Sequence, residues 1–215
     1  MTYLNLINRV LLRLRETQAV TPTDTDYTQL IGSLVNDAKR VVEKAWDWSA
    51  LRSTLTVSAT VGDNTYTLTG SGSDFKLMDV YNDTQNTRLR LISPNEMNTR
   101  INLNSAASGA PDSFSFAGLD SNGDMNIIVY PTPDGSYTLK FDGVYREAEL
   151  SSTSDNTKLP AYPIEMLAWA MASRERGETG GTAAAEIFAL ADRALGDAVA
   201  LDASLYQAEL TWSVR

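Results

Sequence analysis

Two hydrophobic patterns meet in one short stretch of this chain and predict a helix that leads almost directly into a strand. From residue 27 to residue 45, apolar side chains recur every three or four positions, the spacing of one helix face. From residue 52 to residue 61, apolar and polar side chains alternate, as in a half-buried strand. Trp46 and Trp48 stand at the switch, and we expect them to lock the helix against the base of the sheet. The helical pattern also assigns four charged residues to solvent: Lys39, Arg40, Glu43 and Lys44.

Helical periodicity also marks both ends of the chain. Thr2 is placed to cap a first helix. The second helix is predicted to start near Asp26, with Gln29 completing a capping box. Helices are predicted again from 161 to 176, with one apolar stripe formed by Ile164, Leu167, Ala168 and Met171, and from about 182 to 205, where the sequence is rich in alanine.

Between these helices the pattern predicts strands separated by turns. The turn around Gly62 and Asp63 predicts a hairpin between residues 52–61 and 65–68. Ser93, Pro94 and Glu96 form the cap signature of a short helix. The other predicted strands are 75–81, 88–92, a segment around Phe114 and Phe116, 125–130 and 137–145, and residues 70–73 are predicted to be a flexible loop.

The element order predicts an α+β protein, in which a helical bundle built from N- and C-terminal helices carries an inserted, mostly antiparallel β domain. We place the helical body at residues 1–50 and 158–205 and the β domain at residues 51–157. Residues 206–215 follow as an extended C-terminal tail.

Composition narrows the chemistry available to the chain. Its 215 residues contain no histidine and no cysteine, which excludes Ser-His and Cys nucleophile systems, thiolate or imidazole zinc sites and disulfides. Neither a signal-peptide pattern nor an apolar run of membrane-spanning length is present, so we expect a soluble protein that is not secreted by a cleaved signal and has no membrane contact.

The formal charge of −9 argues against wrapping of nucleic acid, because that affinity comes largely from Lys and Arg on phosphates. The charge is uneven. Residues 1–60 hold seven basic and six acidic groups, whereas residues 61–215 hold 11 basic and 21 acidic groups. This asymmetry fits either an oriented assembly with a partner or ordinary solvated surface charge.

Three candidate sites are better explained as structure. Asp120 to Asp124 resembles the first half of a calcium loop, but Met125 replaces the turn glycine and Pro131 replaces the distal Glu, so a hairpin turn is preferred. Glu147 and Glu149, placed on one face of the last strand, and Asp79 and Asp83, near the tip of another, are interpreted as solvated carboxylates, although paired carboxylates can hydrolyse glycosides. The Gly70-Ser71-Gly72 segment precedes a strand instead of a helix, so it is not a phosphate loop. We therefore predict no catalytic, cofactor-binding or metal-binding residue, and no enzyme.

The C-terminal tail is the strongest candidate for binding a partner. It is too apolar to be an idle extension and too short to form a core, so it either packs back on the helical body or docks on another subunit. The predicted partner-binding residues are Tyr206, Leu210, Trp212, Val214 and Arg215.

Several segments in order resemble the head-to-tail adaptor (connector) proteins of tailed bacteriophages, especially those of short-tailed phages. They are the N-terminal YLNLINRVLLRLRE helix, the VNDAKRVVEKAWDWSALR junction, Gly109-Ala110-Pro111, residues 128–134 (IVYPTPD), Tyr137 to Val144 and residues 159–163 (LPAYP).

This resemblance implies a structural virion protein of the neck or tail, assembled in the cytoplasm of the bacterial host. It implies a homo-oligomeric ring, commonly a dodecamer of twelve copies, seated beneath the portal protein ring and leading to the next tail component, a nozzle or tail tube. DNA would pass through the channel only as cargo, and no catalytic residue or cofactor is implied.

Two other functions are compatible with the residues. The first is a carbohydrate- or receptor-binding β module on a helical stalk. The second is a hydrolase that uses carboxylates alone. Glycan binding without a portal, or turnover lost with one carboxylate, would distinguish them from an adaptor.

Overall fold

A computed structural model describes residues 1–103, 107–177 and 182–205, with the side chains of 182–184 left aside. The chain divides into two compact units. The helical unit is formed by Met1–Leu51 with the chain from Glu147 onward, and the β unit is Arg52–Arg146. Among the described residues there are five α-helices and two mostly antiparallel sheets, which confirms the α+β class.

Four helices belong to the helical unit: α1 (Tyr3–Arg13), α2 (Asp26–Ala45), α4 (Ala161–Glu175) and α5 (Thr182–Ala203), with a 3₁₀ turn at Ser49–Leu51. Thr2 caps α1 as predicted, since its hydroxyl accepts the Asn5 N–H at 3.3 Å. The predicted capping box on α2 is wrong: Thr25 is the cap, and its hydroxyl accepts the Thr28 N–H at 3.0 Å. Threonine takes the position because its short hydroxyl reaches the free N–H groups of the first turn.

Helix α4 contacts the other three helices of the unit. The prediction that α4 has a single apolar stripe is therefore wrong. Residues from Pro163 to Ser173 are buried on several sides of the helix, whereas Leu167 and Met171 of the predicted stripe are only half-buried. Alanines at 168, 170 and 172 are fully buried, and their small size lets neighbouring helices approach closely.

The helical pattern misplaces two charged side chains of α2. Lys39 and Glu43 were assigned to solvent, but they are 2% and 6% exposed. The Lys39 ammonium donates to the carbonyls of Glu147 and Ala148 at 3.2 and 3.1 Å, and the Glu43 carboxylate accepts the Glu147 N–H at 2.8 Å. A charge is tolerated in the interior when it is paired and hydrogen-bonded. These bonds fasten the chain to α2 as soon as it leaves the β unit at Glu147, ten residues before the sequence-based boundary at 157.

The β unit contains a short helix, α3 (Pro94–Asn98), and a π-helical turn at Thr99–Leu103. Ser93 caps α3, since its hydroxyl accepts the Glu96 N–H at 3.2 Å. The strands are β1 (Arg52–Ala59), β2 (Thr65–Leu68), β3 (Phe75–Asn82), β4 (Thr87–Arg88), β5 (Arg90–Leu91), β6 (Ser113–Leu119), β7 (Met125–Tyr130) and β8 (Tyr137–Tyr145).

These strands form two four-stranded sheets, with orders β1-β8-β3-β4 and β2-β7-β6-β5. The predicted hairpin of β1 and β2 is therefore wrong. β1 pairs with β8 and β2 pairs with β7, so the turn between them carries the chain from one sheet to the other. The predicted strand 88–92 likewise divides at Leu89: β4 pairs with β3, and β5 pairs in parallel with β6.

The core of the β unit is aromatic and aliphatic. Phe114 and Phe141 lie edge to face with ring centroids 5.5 Å apart, and both rings are at most 1% exposed. Ile127, Val129 and Leu139 are also inaccessible to solvent. Alternate residues of both sheets therefore meet in one hydrophobic core.

Candidate interaction surfaces

The C-terminal end of α5 is fastened to the residues that follow α2. The Asp202 carboxylate accepts three hydrogen bonds: from the Trp46 indole N–H at 3.0 Å, from the Ser49 N–H at 3.0 Å and from the Ser49 hydroxyl at 2.5 Å. We call this arrangement the Asp202 clamp. It forms because α2 stops at Ala45 and Trp46 takes an extended conformation, which turns the next residues toward α5. Trp48 is 1% exposed, and its indole N–H donates to the Val42 carbonyl at 2.8 Å.

The clamp fixes the position from which the predicted tail departs. Leu205, the last described residue, follows α5 by two positions and is 70% exposed. The predicted partner-binding residues Tyr206, Leu210, Trp212, Val214 and Arg215 lie outside the described residues.

Helix α5 presents a broad surface to solvent. Within its described side chains, only Ala191 and Ala194 are buried, where they pack on Met166 with Leu167 and Trp169 at the margin. Leu190 and Leu201 are 50% and 72% exposed. The described side chains of α5 therefore leave a long exposed surface, and the exposed leucines on it make it a candidate interaction surface.

Helix α1 has one face in the core and another in solvent. Glu165 of α4 is 3% exposed and accepts hydrogen bonds from Arg9 Nη1 at 3.0 Å and Arg13 Nε at 2.8 Å. Arg13 also lies over the Trp169 ring, 5.3 Å from its centroid. Leu12 lies on the same helix and is 63% exposed. Sequence reasoning missed Glu165, since a carboxylate on a helix gives no sign of burial until its arginine partners are known.

The candidate carboxylates are occupied by structural contacts. Glu147 accepts the Thr157 hydroxyl at 2.8 Å and the Lys158 N–H at 2.9 Å, and Glu149 pairs with Arg40. In the β unit, Asp79 lies 3.3 Å from Arg88 and Asp83 lies 3.0 Å from Lys140. The placement of Glu147 and Glu149 on the last strand is wrong, because β8 ends at Tyr145.

The Asp120–Asp124 turn directs its carboxylates at backbone N–H groups. Asp120 Oδ1 accepts from the N–H groups of Asn122 and Asp124, both at 2.8 Å. Asp124 accepts from Gly72 at 2.9 Å and Gly70 at 3.1 Å, and these two bonds hold the pKa of its carboxyl below the ordinary value. In the described part of the chain, no group of three or more acidic residues is arranged to hold a metal ion.

The same bonds correct the prediction of a flexible loop at residues 70–73. Ser71 is 2% exposed, and its hydroxyl accepts the Met125 N–H at 2.9 Å. Gly70 and Gly72 have φ values of 86° and 62°, a region that glycine enters without strain, so the loop can turn both N–H groups toward Asp124. The segment is an ordered turn held by an acceptor distant in sequence.

Comparison with known proteins gives one assignment. A family profile described as SU10 adaptor protein matches residues 1–213, which is nearly the whole chain. No curated protein shows a significant match. None of the helices that the structure describes combines the length and the apolar character needed to cross a lipid bilayer.

Proposed function

The chain belongs to the SU10 adaptor protein family and is a structural adaptor protein of a bacteriophage; from that premise we propose that it forms a ring beneath the portal and joins the capsid to the tail. DNA passes through the central channel of this ring. The portal lies on one side, the next tail component on the other, and twelve copies complete the ring. The observation that carries the proposal is the family match over residues 1–213.

The charge of the chain supports a channel function. DNA that must leave the capsid quickly should not bind tightly to the wall of the channel. Affinity for DNA grows with each phosphate that a Lys or Arg neutralises. A subunit with a net charge of −9 makes an acidic ring, which repels the polymer and lowers this affinity.

We assign portal docking to the C-terminal tail, residues 206–215, with Trp212 as the anchor and Tyr206, Leu210, Val214 and Arg215 around it. The Asp202 clamp supports this assignment because it fixes the base of the tail in every copy. Interface hot spots favour Trp and Tyr, and truncating one costs about 2 kcal/mol or more, roughly a thirtyfold loss of affinity. In a ring, avidity multiplies that loss.

The test is electron microscopy of the protein mixed with the portal of the same phage. The wild-type chain should form a ring on the portal. Trp212→Ala, and a chain that ends at Leu205, should keep the wild-type melting temperature but lose portal binding by at least thirtyfold. Tyr162→Ala is the matched control, since Tyr162 is an aromatic residue of α4 that is 55% exposed and lies outside the tail.

Three results would count against the proposal. If the wild-type chain forms no ring on the portal, the adaptor function proposed here is wrong. If the shortened chain assembles normally, the tail is not the docking segment. If shortening lowers the melting temperature strongly, the tail belongs to the core of its own subunit.

A further inference from the structure

Helix α5 carries one continuous stripe of exposed residues: Glu186, Leu190, Arg193, Asp197 and Leu201. Successive members are separated by four, three, four and four positions, which places all five on the same side of the helix. The leucines are 50% and 72% exposed. In the part of the chain that the structure describes, the three charged members form no ion pair. The stripe therefore combines two exposed leucines with two carboxylates and one guanidinium.

Helix α1 offers a surface of the opposite charge. Leu12 is 63% exposed. Arg9 lies one turn before it and keeps a side chain that is 53% exposed while pairing with Glu165, and exposed Arg15 lies two positions after the end of α1. Arg15 forms no ion pair with any described residue. Residues 1–15 contain three arginines and no acidic side chain. We call the surface formed by Arg9, Leu12 and Arg15 the α1 outer face.

We propose that neighbouring copies associate head to tail, with the α5 stripe of one copy packed on the α1 outer face of the next. This inference rests on the proposed ring. The two surfaces match in apolar character and oppose each other in charge, which favours the correct pair and disfavours contact between like surfaces. The two surfaces are also different from each other. When subunits join through such a contact, the row of subunits has an uncovered α5 stripe at one end and an uncovered α1 outer face at the other. Repetition of that contact closes a ring when the rotation between copies permits it.

A symmetric α5–α5 contact is the competing arrangement. Antiparallel α5 helices could set Arg193 of each copy against Asp197 of the other and bring Leu190 near the other Leu201. Such a contact uses one surface twice and is complete with two copies, so it does not extend to a ring. It also leaves the α1 outer face uncovered. These differences make the two arrangements separable by experiment.

The test uses two charge reversals in the full-length chain, each mixed with the portal of the same phage. Arg15→Glu makes the α1 outer face more acidic, and Asp197→Arg makes the α5 stripe basic. Each variant alone should lose ring occupancy on the portal by about tenfold or more, because like charges then meet at every contact. An equimolar mixture of the two variants should recover rings in which they alternate, since each reversed surface then meets one of opposite charge. Native mass spectrometry of the rings would report the composition.

Two matched controls keep the sites distinct. Asp192→Arg makes the same change on α5 at an exposed position about 140° around the helix from Asp197, so it should leave ring assembly unchanged. Arg90→Glu makes the same change as Arg15→Glu at an exposed residue of the β unit, and it should also be neutral. Equal melting temperatures for all four variants would show that folding is intact.

The possible outcomes distinguish failure of the proposed function from failure of the proposed interface. If the wild-type chain forms no ring on the portal, the proposed function fails and this interface fails with it. If wild-type rings form and the single reversals form them equally well, the interface is wrong while the function stands. Loss of ring assembly by Asp197→Arg alone, with Arg15→Glu normal, would show that the α5 stripe packs on a surface other than the α1 outer face, and the proposed pairing would be wrong.

Discussion

Replacing Asp202 with Ala should release the end of α5 without unfolding the protein. The substitution removes three hydrogen bonds, to the Trp46 indole N–H, the Ser49 N–H and the Ser49 hydroxyl. Hydrogen bonds to a charged group contribute about 1.5 to 3 kcal/mol each when buried, but Asp202 is half-buried and water replaces part of the loss. About 1 kcal/mol for each bond gives a loss of roughly 3 kcal/mol.

An opposing effect reduces this figure. A carboxylate in the last turn of a helix is disfavoured by the helix dipole, and its removal returns about 0.3 to 1 kcal/mol. The net loss is then roughly 2 to 3 kcal/mol, because the three hydrogen bonds outweigh the dipole. Since about 1.4 kcal/mol corresponds to a factor of ten, the end of α5 should open roughly thirty to a hundred times more often.

Amide hydrogen exchange measures this opening directly. In Asp202→Ala, amides of residues 198–205 should exchange about thirty to a hundred times faster, while those of α2 and α4 stay unchanged. Asp192→Ala is the control, because Asp192 is exposed and the described structure gives it no ion pair. Equal exchange rates in the two variants would show that the clamp does not hold α5. Loss of protection throughout the helical unit would show that its effect is global.

Three further predictions concern stability. Trp48→Ala should lower the free energy of unfolding in urea by about 3 to 5 kcal/mol, because the Trp48 ring is 1% exposed and its N–H is hydrogen-bonded. Trp46→Ala should lower it less, because Trp46 is half-buried, and equal losses in the two variants would contradict this packing. Burial, with the nearby Asp142 carboxylate, raises the pKa of Tyr145 to about 12, so the unfolded chain loses this proton near pH 10 while the folded protein retains it. The stability that Tyr145 contributes is full below about pH 10 and falls by about 2 to 3 kcal/mol as the pH rises to about 12. Tyr145→Phe should remove that fall, and a variant with the same pH profile of stability as the wild type would refute the assignment. Calcium at millimolar concentration should leave the melting temperature unchanged, since both carboxylates of the Asp120–Asp124 turn accept backbone N–H groups, and a reproducible rise would reveal a site.

Local patterns predicted elements well wherever the signal was itself local. The bounds of β2, β7 and β8 agree with the prediction to the residue, since alternation and flanking turns define a strand without reference to its partner. The caps at Thr2 and Ser93 were found for the same reason, because a hydroxyl reaches an N–H three residues away.

Features that depend on distant residues were missed. The chain reversal at Gly62 and Asp63 was visible, but the partners of β1 and β2 are set by β8 and β7, which lie more than 50 residues further on. Lys39 and Glu43 resemble solvent-exposed helix residues until Glu147 returns to cover them. The Asp202 clamp likewise joins residues more than 150 positions apart, and no spacing in the sequence marks it.

The pairing of β1 with β8 has a consequence for how the chain folds. Arg52 and Val144 face each other across the ladder, so the two ends of an insert of about 95 residues lie side by side. If the insert were unfolded, the entropy cost of bringing α2 and α4 together would be about 3 kcal/mol higher than with a connecting loop of only a few residues. Once the β unit has folded, its closely spaced ends act as such a short loop. The β unit should therefore fold independently and first, and a short tight turn in its place should leave the helices able to assemble.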